Sequence, residues 1–134
     1  MSDTTDVGPA VPPLDALLLA DPSGAAALAR SVLSGLAGRD PRDVDLLVST
    51  LEAWFDAAGS CSRAAGALHC HRNTVLNRLT RVAALTGRDV SDPRDAAELY
   101  TALRARRLRA GGRERGVARD VTALRRVSRR TVDP

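Results

Sequence analysis

Apolar residues recur every three or four positions through most of the chain, and this spacing predicts α-helices. The clearest pattern lies between Ser62 and Arg81, where two short helical stretches meet across a three-residue joint. The first stretch carries small residues that allow a second helix to cross closely, Ala64, Ala65 and Leu68. The second carries an apolar stripe of Val75, Leu79 and Val82. Together they predict a helix-turn-helix, with its second helix running from about Arg72 to Thr86 and ended by Gly87.

Helix-start signals flank this unit on both sides. Asp21 is followed by Pro22, and Asp92 by Pro93; the aspartate can cap free amides, and proline suits the first turn, where no amide donor is needed. The earlier helix is expected to end near Gly38, and its apolar stripe needs a partner surface: Leu28, Val32, Leu33 and Leu36. The later helix is expected to pack beneath the helix-turn-helix and to bury Ala96, Leu99, Tyr100 and Leu103.

A further helix is predicted just before the helix-turn-helix. Residues Pro41 to Asp43 are expected to form a joint, after which apolar residues fall on one helical face that ends at Gly59: Leu47, Leu51, Trp54, Phe55 and Ala58. We expect this helix to support the core, with its two aromatic residues buried there rather than contacting a ligand. Either Ser60 or Ser62 can cap the helix that follows.

The two ends of the chain differ from the middle. Met1 to Pro13 has no periodic apolar pattern and is expected to be disordered, whereas Leu14 to Ala20 is expected to form a short apolar turn or helix. The Gly111–Gly112 pair is expected to break the chain. Two alternatives stay open for the residues beyond it. One is a basic amphipathic helix, because apolar residues still recur at near-helical spacing: Val117, Val121, Leu124 and Val127. The other is a disordered segment that condenses on nucleic acid.

The predicted fold is therefore all-α: a small helix-turn-helix bundle with an extra N-terminal helix and a basic C-terminal tail. Aromatic residues make up only 2% of the chain, so its core has to be built from Leu, Val and Ala. We expect a flexible N-terminal segment (1–20), an N-terminal helix and joint (21–42), the helix-turn-helix domain (43–110) and an Arg-rich tail (111–134).

Charge is distributed unevenly along the chain. Residues 1–103 hold 9 Arg and 13 acidic residues, a net charge of −4, whereas residues 104–134 hold 11 Arg and 3 acidic residues, a net charge of +8. Such a basic segment suits a polyanionic partner. No stretch reaches the roughly 20 apolar residues of a membrane span, and Met1 to Ala10 lacks a secretory signal. We expect a cytoplasmic protein without a membrane partner.

The second helix of the helix-turn-helix carries the candidate chemistry. No acidic residue lies between Asp56 and Asp89, and the polar side of this helix presents Arg72, Asn73, Asn77, Arg78 and Arg81. Asparagine amides pair with adenine and guanidinium groups with guanine in the major groove, so these residue types suit base contacts with double-stranded DNA. The alternative is a solvated helix face, which arginines commonly form.

Phosphate contacts and helix ends account for the other candidates. Ser62, Arg63, His71 and Arg81 can contact the DNA backbone, and Thr74 can touch a thymine methyl group or support the helix start. We expect His69 to end the first helix and His71 to cap the second.

Other chemistry receives little support. A zinc site would need Cys61, His69, Cys70 and His71, but adjacent His, Cys and His residues cannot readily all point at one tetrahedral metal. We expect no metal and no cofactor, reduced cysteines, and a Cys70 that fills the turn as a small hydrophobic residue. The chain has no phosphate-binding loop, no paired carboxylates and no nucleophile triad, so we predict no enzymatic activity.

The stretch A-L-H-C-H-R-N-T-V-L-N-R-L-T-R-V-A-A-L-T-G-R-D-V-S-D-P resembles the C-terminal helix-turn-helix domain of PucR-type regulators, the bacterial purine-catabolism and sugar-diacid group. The resemblance covers about Leu46 to Leu108, with weaker similarity reaching back to Leu17–Pro22. It implies an all-helical DNA-binding fold whose recognition helix carries Arg72, Asn73, Thr74 and Arg78.

The chain departs from the family pattern in three places. Leu76–Asn77 stands where the family usually has Arg-Tyr, which puts the operator preference in doubt. Cys70 stands where the family has an aliphatic residue, in keeping with a packing role. Family members typically carry a sensory domain and a cyclase-like module before this domain, whereas barely forty residues precede it here, so we expect a detached output domain.

Two hypotheses follow for function. The favoured one is a DNA-binding transcriptional regulator. Such a chain can act alone, dimerise through Leu28, Val32 and Leu36, or be the remnant of a split or truncated gene. We prefer the dimer, because small regulators of this kind commonly contact paired half-sites one helical turn apart. The other hypothesis is a protein-interaction module whose Leu28–Leu36 stripe docks onto a full-length regulator.

Overall fold

The computed structural model describes the backbone of residues 10–130 and the side chains of residues 10–112. Its helices are α1 (Pro13–Ala20), α2 (Pro22–Val32), α3 (Pro41–Asp56), α4 (Cys61–Leu68), α5 (Arg72–Thr86) and α6 (Pro93–Arg130), with a 3₁₀ turn at Ser34–Leu36. No strand occurs in this part of the chain. The predicted all-α helix-turn-helix bundle is confirmed.

Three of the helices begin at an Asp-Pro pair. Asp21 Oδ1 accepts a hydrogen bond from the Gly24 amide (2.9 Å), and Asp92 Oδ1 accepts one from the Arg94 amide (2.8 Å), as predicted. Asp40 does the same for the Arg42 amide (2.8 Å) at the start of α3. Pro41 is therefore the first residue of a helix and not part of the predicted joint, because Asp40 caps α3 in the same way as Asp21 caps α2 and Asp92 caps α6.

The core lies where α3 meets α5 and α6. The side chains of Leu47 and Leu51 from α3, Val75 and Val82 from α5, and Leu99 from α6 are fully buried. This confirms that α3 supports the core.

The aromatic side chains line one edge of this core. The ring of Phe55 packs edge-on between those of Trp54 and Tyr100, with centroid distances of 5.1 Å to each. Trp54 and Phe55 are partly buried against the core, as predicted. Tyr100 is 40% exposed, so its predicted burial is wrong: it covers the outside of the Phe55 ring instead.

The apolar stripe of α2 is used inside the chain. Val32 and Leu36 are buried in the core, and Leu28 and Leu33 pack against it. The helix ends at Val32, earlier than the predicted Gly38, because the 3₁₀ turn brings Gly35 against the backbone of Leu85 at the end of α5. The predicted dimerisation or docking through this stripe is wrong, since the chain's own core already covers these side chains.

The N-terminal segment is more ordered than the flexible stretch predicted for residues 1–20. Pro13–Ala20 forms α1, which packs on α6 and buries Asp15 and Leu18. The short helix expected after Leu14 is confirmed. The disorder predicted for Met1 to Pro13 includes Pro13, which is instead the first residue of α1, and residues 1–9, which lie outside the described residues.

Helix α6 runs through Gly111 and Gly112 without a break. Each glycine costs a helix about 1 kcal/mol relative to alanine, which is too little to end a helix flanked by arginines and alanines that favour this conformation. The chain therefore follows the helical alternative as far as Arg130. The apolar side chains at Val117 to Val127 lie outside the described residues.

Candidate nucleic-acid interface

Helices α4 and α5 form the predicted helix-turn-helix, and local caps fix each end. Ser60, rather than Ser62, caps α4: its Oγ accepts a hydrogen bond from the Arg63 amide (3.2 Å). His69 ends α4 in the left-handed conformation (φ 53°). His71 caps α5, its Nδ1 accepting a hydrogen bond from the Asn73 amide (3.1 Å). The structural roles predicted for both histidines are confirmed.

Small residues let the two helices cross closely. Ala64 is fully buried and Ala65 is nearly so. Cys61 and Cys70 are free thiols that pack, partly buried, against the core, which confirms the packing role of Cys70. Within residues 10–112, no three His, Cys, Asp or Glu side chains come together as a metal site would require.

Most predicted DNA-contacting side chains lie on the outer surface of this unit. Their side-chain polar groups form no hydrogen bond or ion pair with any other described residue, apart from the cap made by His71. The exposed members are Ser62, Arg63, His71, Arg72, Asn73 and Asn77, and Thr74 is half-buried. The donors and acceptors on the N-terminal half of α5 are therefore available to a ligand.

Arg78 lies deeper than the sequence suggested. It is half-buried, and its Nη1 donates to Thr50 Oγ1 of α3 at 3.4 Å, a long contact. Thr50 is fully buried, and its hydroxyl donates to the Leu46 carbonyl (2.8 Å). Helix α3 thus supports the Arg78 side chain from beneath.

Arg81 is held by an acid that the sequence prediction missed. Its Nη1 and Nη2 donate to Oδ1 and Oδ2 of Asp43, at 2.7 and 2.5 Å, across 38 residues of chain. No acidic residue lies between Asp56 and Asp89 along the sequence. Folding nevertheless places Asp43, from the first turn of α3, at the edge of α5. No local feature of the sequence indicates this contact, because it forms only when α3 packs against α5.

Leu76 is another residue that the prediction left out of the site. It is 38% exposed and immediately precedes Asn77 on α5. Its apolar side chain lies among polar neighbours on a surface where thymine methyl groups are a suitable partner.

The segment after α5 fixes the recognition helix to the rest of the bundle. Gly87 ends α5 in the left-handed conformation (φ 69°). The Arg88 side chain then donates to Glu98 Oε2 of α6 (2.5 Å), to the Thr86 carbonyl (3.3 Å) and to the Val32 carbonyl of α2 (3.5 Å). One guanidinium group therefore joins the ends of three helices.

Asp89 orders the turn that leads into α6. Its carboxylate accepts hydrogen bonds from the Ser91 hydroxyl (2.7 Å) and the Ser91 amide (2.8 Å), and these two bonds lower the pKa of Asp89. Its own amide donates to Asp95 Oδ2 (3.0 Å). The T-G-R-D-V-S-D-P stretch is thus a structural frame behind α5, and its polar side chains bond to other groups of the chain.

A short helix, a tight joint and a second helix with exposed amide and guanidinium groups define a helix-turn-helix domain of the DNA-binding class. Residues 47–105 match the PucR C-terminal helix-turn-helix domain. The predicted family is confirmed.

Relatives from several bacteria share the domain. An uncharacterised protein in the pkwA 5′ region of Thermomonospora curvata is 41% identical over 91 residues, 68% of this chain and 49% of that protein. The transcriptional activator PmfR of Paenarthrobacter nicotinovorans is 37% identical over 81 residues, 60% of this chain and 17% of PmfR.

A solved structure shows the same arrangement. The regulator of polyketide synthase expression from Bifidobacterium adolescentis superposes with a TM-score of 0.56 at 39% identity, covering 72% of this chain and 39% of that one. The chain therefore spans about half the length of one relative and smaller parts of the others. No helix in the described part of the chain has the length and hydrophobicity needed to cross a membrane.

Proposed function

We propose that this chain binds double-stranded DNA in a sequence-specific manner through α4 and α5, and so regulates transcription in the bacterial cytoplasm. The observation that carries this proposal is the set of unpartnered amide and guanidinium groups on the outer side of α5. In helix-turn-helix domains the first helix lies across the DNA backbone while the N-terminal part of the second enters the major groove. We assign the chain no catalytic chemistry and no cofactor.

Base contacts fall to the outer edge of α5. Asn73 and Asn77 are four residues apart, so their amides lie one above the other on the same side of the helix. Each amide can bond the N6 and N7 atoms of an adenine, and Arg72 or Arg78 can bond the O6 and N7 atoms of a guanine. Thr74 and Leu76 supply methyl groups for thymine.

Backbone contacts fall to the helix starts. Ser62 and Arg63 lie in the first turn of α4, where unpaired amides and a cationic side chain suit a phosphate. The capping bond of His71 uses Nδ1, which leaves Nε2 available for a second phosphate. Arg81, which lies further along α5, keeps donors beyond the two bonded to Asp43 and is a further phosphate contact.

We propose a homodimer as the DNA-binding form, because paired half-sites require two recognition helices. The surface we assign to the second copy is an apolar groove of about 530 Å³ between α1, α2 and α6. Exposed Leu19 lines this groove together with Pro22, Ala26 and Leu108. Apolar side chains beside an apolar groove are self-complementary, as an isologous contact requires. Sedimentation equilibrium tests this: Leu19→Glu should convert a dimer to a monomer, and a monomeric wild type would contradict the assignment.

The DNA-binding proposal is tested by fluorescence anisotropy with two duplexes. One is the sequence that the wild-type chain enriches from a random pool, and the other is a scrambled version of it. Asn77→Ala and Arg78→Ala should weaken binding to the enriched duplex by about tenfold or more, since each good bidentate base contact contributes roughly 1–3 kcal/mol of discrimination. Arg94→Ala, on exposed α6 surface, is the matched control for a lost arginine. Equal binding by all variants, or no enrichment by the wild type, would reject the proposal.

A further inference from the structure

The ion pair between Asp43 and Arg81 connects α3 to the DNA-facing helix. We propose that Asp43 is a specificity-determining residue: it holds the Arg81 guanidinium in place and offsets its charge, so that α5 binds unrelated duplexes weakly. This inference rests on the proposed DNA-binding function.

Arg81 lies on the same edge of α5 as the two asparagines. The spacing Asn73, Asn77 and Arg81 is four residues at each step, which places the three side chains in one row along the helix. The Arg81 side chain is 46% exposed and that of Asp43 is 23% exposed. DNA that reaches Asn77 therefore also meets the pair.

The ion pair leaves Arg81 able to donate hydrogen bonds to DNA, but it fixes the guanidinium group in one position. A guanidinium group has five N–H donors in a rigid fork, and Asp43 takes two of them. The remaining donors point in directions that the bidentate contact fixes. An arginine held in this way favours a phosphate or base at one place over phosphates in general.

Asp43 also reduces sequence-independent attraction. Each cation that neutralises a phosphate on binding releases counterions, and this electrostatic contribution supplies essentially all of non-specific binding. The charges of Arg81 and Asp43 offset one another, whereas Arg63 and Arg72 have no acidic partner among the described residues. Of the ion pairs in residues 10–112, this one alone includes a residue of α5. The Arg88 pair lies in the structural frame behind α5, and the Arg104 pair joins α6 to α1.

Asp43→Asn removes the charge and keeps the size of the side chain. Asp45→Asn is its matched control, because Asp45 lies two residues further along α3, is 73% exposed, and contacts only Arg106 at 3.6 Å. Both variants change the net charge equally, and half-exposed ion pairs contribute little to stability. Circular-dichroism melting curves establish that each variant is folded.

Binding to the enriched and scrambled duplexes is then measured from 50 to 300 mM salt. For Asp43→Asn we expect affinity for the scrambled duplex to rise about threefold to tenfold, with the salt slope increasing by about 0.9 because Arg81 gains a phosphate contact. Affinity for the enriched duplex should change less, so the ratio of the two affinities falls. Asp43→Glu, which retains the charge, should recover much of that ratio.

The double variant Asp43→Asn/Arg81→Ala decides whether Asp43 acts through Arg81. It should match Arg81→Ala alone in salt slope and in affinity ratio. The inference is overturned if Asp43→Asn behaves like Asp45→Asn, or if its effect persists in the Arg81→Ala background. Failure of the wild type to bind any duplex at 50 mM salt would instead refute the proposed function, so the two failures are distinguishable.

Discussion

Asp15 and Arg104, 89 positions apart, form a bidentate ion pair that fastens α1 to α6: Oδ1 accepts from Nε at 3.0 Å and Oδ2 from Nη2 at 2.6 Å. The carboxylate is buried while the guanidinium is half-buried. The hydrogen bonds from Arg104 hold the pKa of Asp15 below its ordinary value, and the carboxylate in turn raises the pKa of Arg104. The most N-terminal described helix is therefore held by charge as well as by Leu18.

Because of this ion pair, we expect the free energy of unfolding to decrease at acidic pH. Because the folded-state pKa of Asp15 is lowered, its contribution is complete above the unfolded-state value of about 3.9 and is lost as the pH falls through the folded-state value. Asp15→Asn should lower the melting temperature by several degrees at pH 7 and by much less at pH 2. Thermal denaturation across that range measures the difference. An equal loss at both pH values would mean that the charge of Asp15 does not stabilise the fold.

Gly35 should not tolerate a side chain. A Cβ atom added there would lie 1.6 Å from the Leu85 carbonyl oxygen, a backbone atom that cannot turn aside. We expect Gly35→Ala to destabilise the protein by about 1–3 kcal/mol, the usual range for overpacking. Urea unfolding provides the measurement.

Gly66→Ala is the matched control for that substitution. Gly66 lies inside α4 with no atom within 4 Å of an added Cβ, so alanine should stabilise the protein by up to about 1 kcal/mol. Equal effects at the two glycines would contradict the close approach of the 3₁₀ turn to α5.

Two substitutions should distinguish the capping role of His71 from its proposed contact with DNA. His71→Ala removes the acceptor for the Asn73 amide and should cost about 0.5–2 kcal/mol of stability. His71→Asn restores a capping oxygen but not the ring Nε2, so it should recover the stability and still bind the enriched duplex more weakly. Unfolding and anisotropy titrations on the two variants measure these effects. If His71→Asn is as unstable as His71→Ala, the capping bond contributes little.

Thr50 should affect DNA binding without contacting DNA. Thr50→Val keeps the shape but removes the hydroxyl that contacts Arg78, so the guanidinium loses its fixed position. We expect affinity for the enriched duplex to fall about twofold to fivefold, with an unchanged salt slope because no cation is lost.

Thr101→Val is the control, because the Thr101 hydroxyl likewise donates to the carbonyl four residues earlier, that of Ala97, and forms no hydrogen bond with α5. Equal effects on binding would show that Thr50 acts only through the stability of its helix.

The sequence predicted the helix-turn-helix closely because its ends carry local signals. The limits of α5 were predicted at Arg72 and Thr86, and His71 and Gly87 mark them with a cap and a left-handed residue. The start of α3 differs from the predicted one, although Asp40 and Pro41 carry the same Asp-Pro signal as the starts of α2 and α6.

The rest of the site depends on contacts between distant segments. The partners of Arg78 and Arg81, Thr50 and Asp43, lie 28 and 38 residues away in sequence. Local patterns of hydrophobicity do not specify such pairs, because surface polar residues can point in several directions until the helices have packed. For the same reason, the sequence does not show that the apolar stripe of α2, which includes Val32, is covered by α6 within the same chain.

The inner and outer sides of α5 serve separate purposes. Val75 and Val82 hold the helix in the bundle, while Leu76 and Asn77 extend away from it. Outward residues can therefore be exchanged without disturbing the fold. Under the proposed function, substitutions at these positions would change the operator preference while the scaffold stays the same.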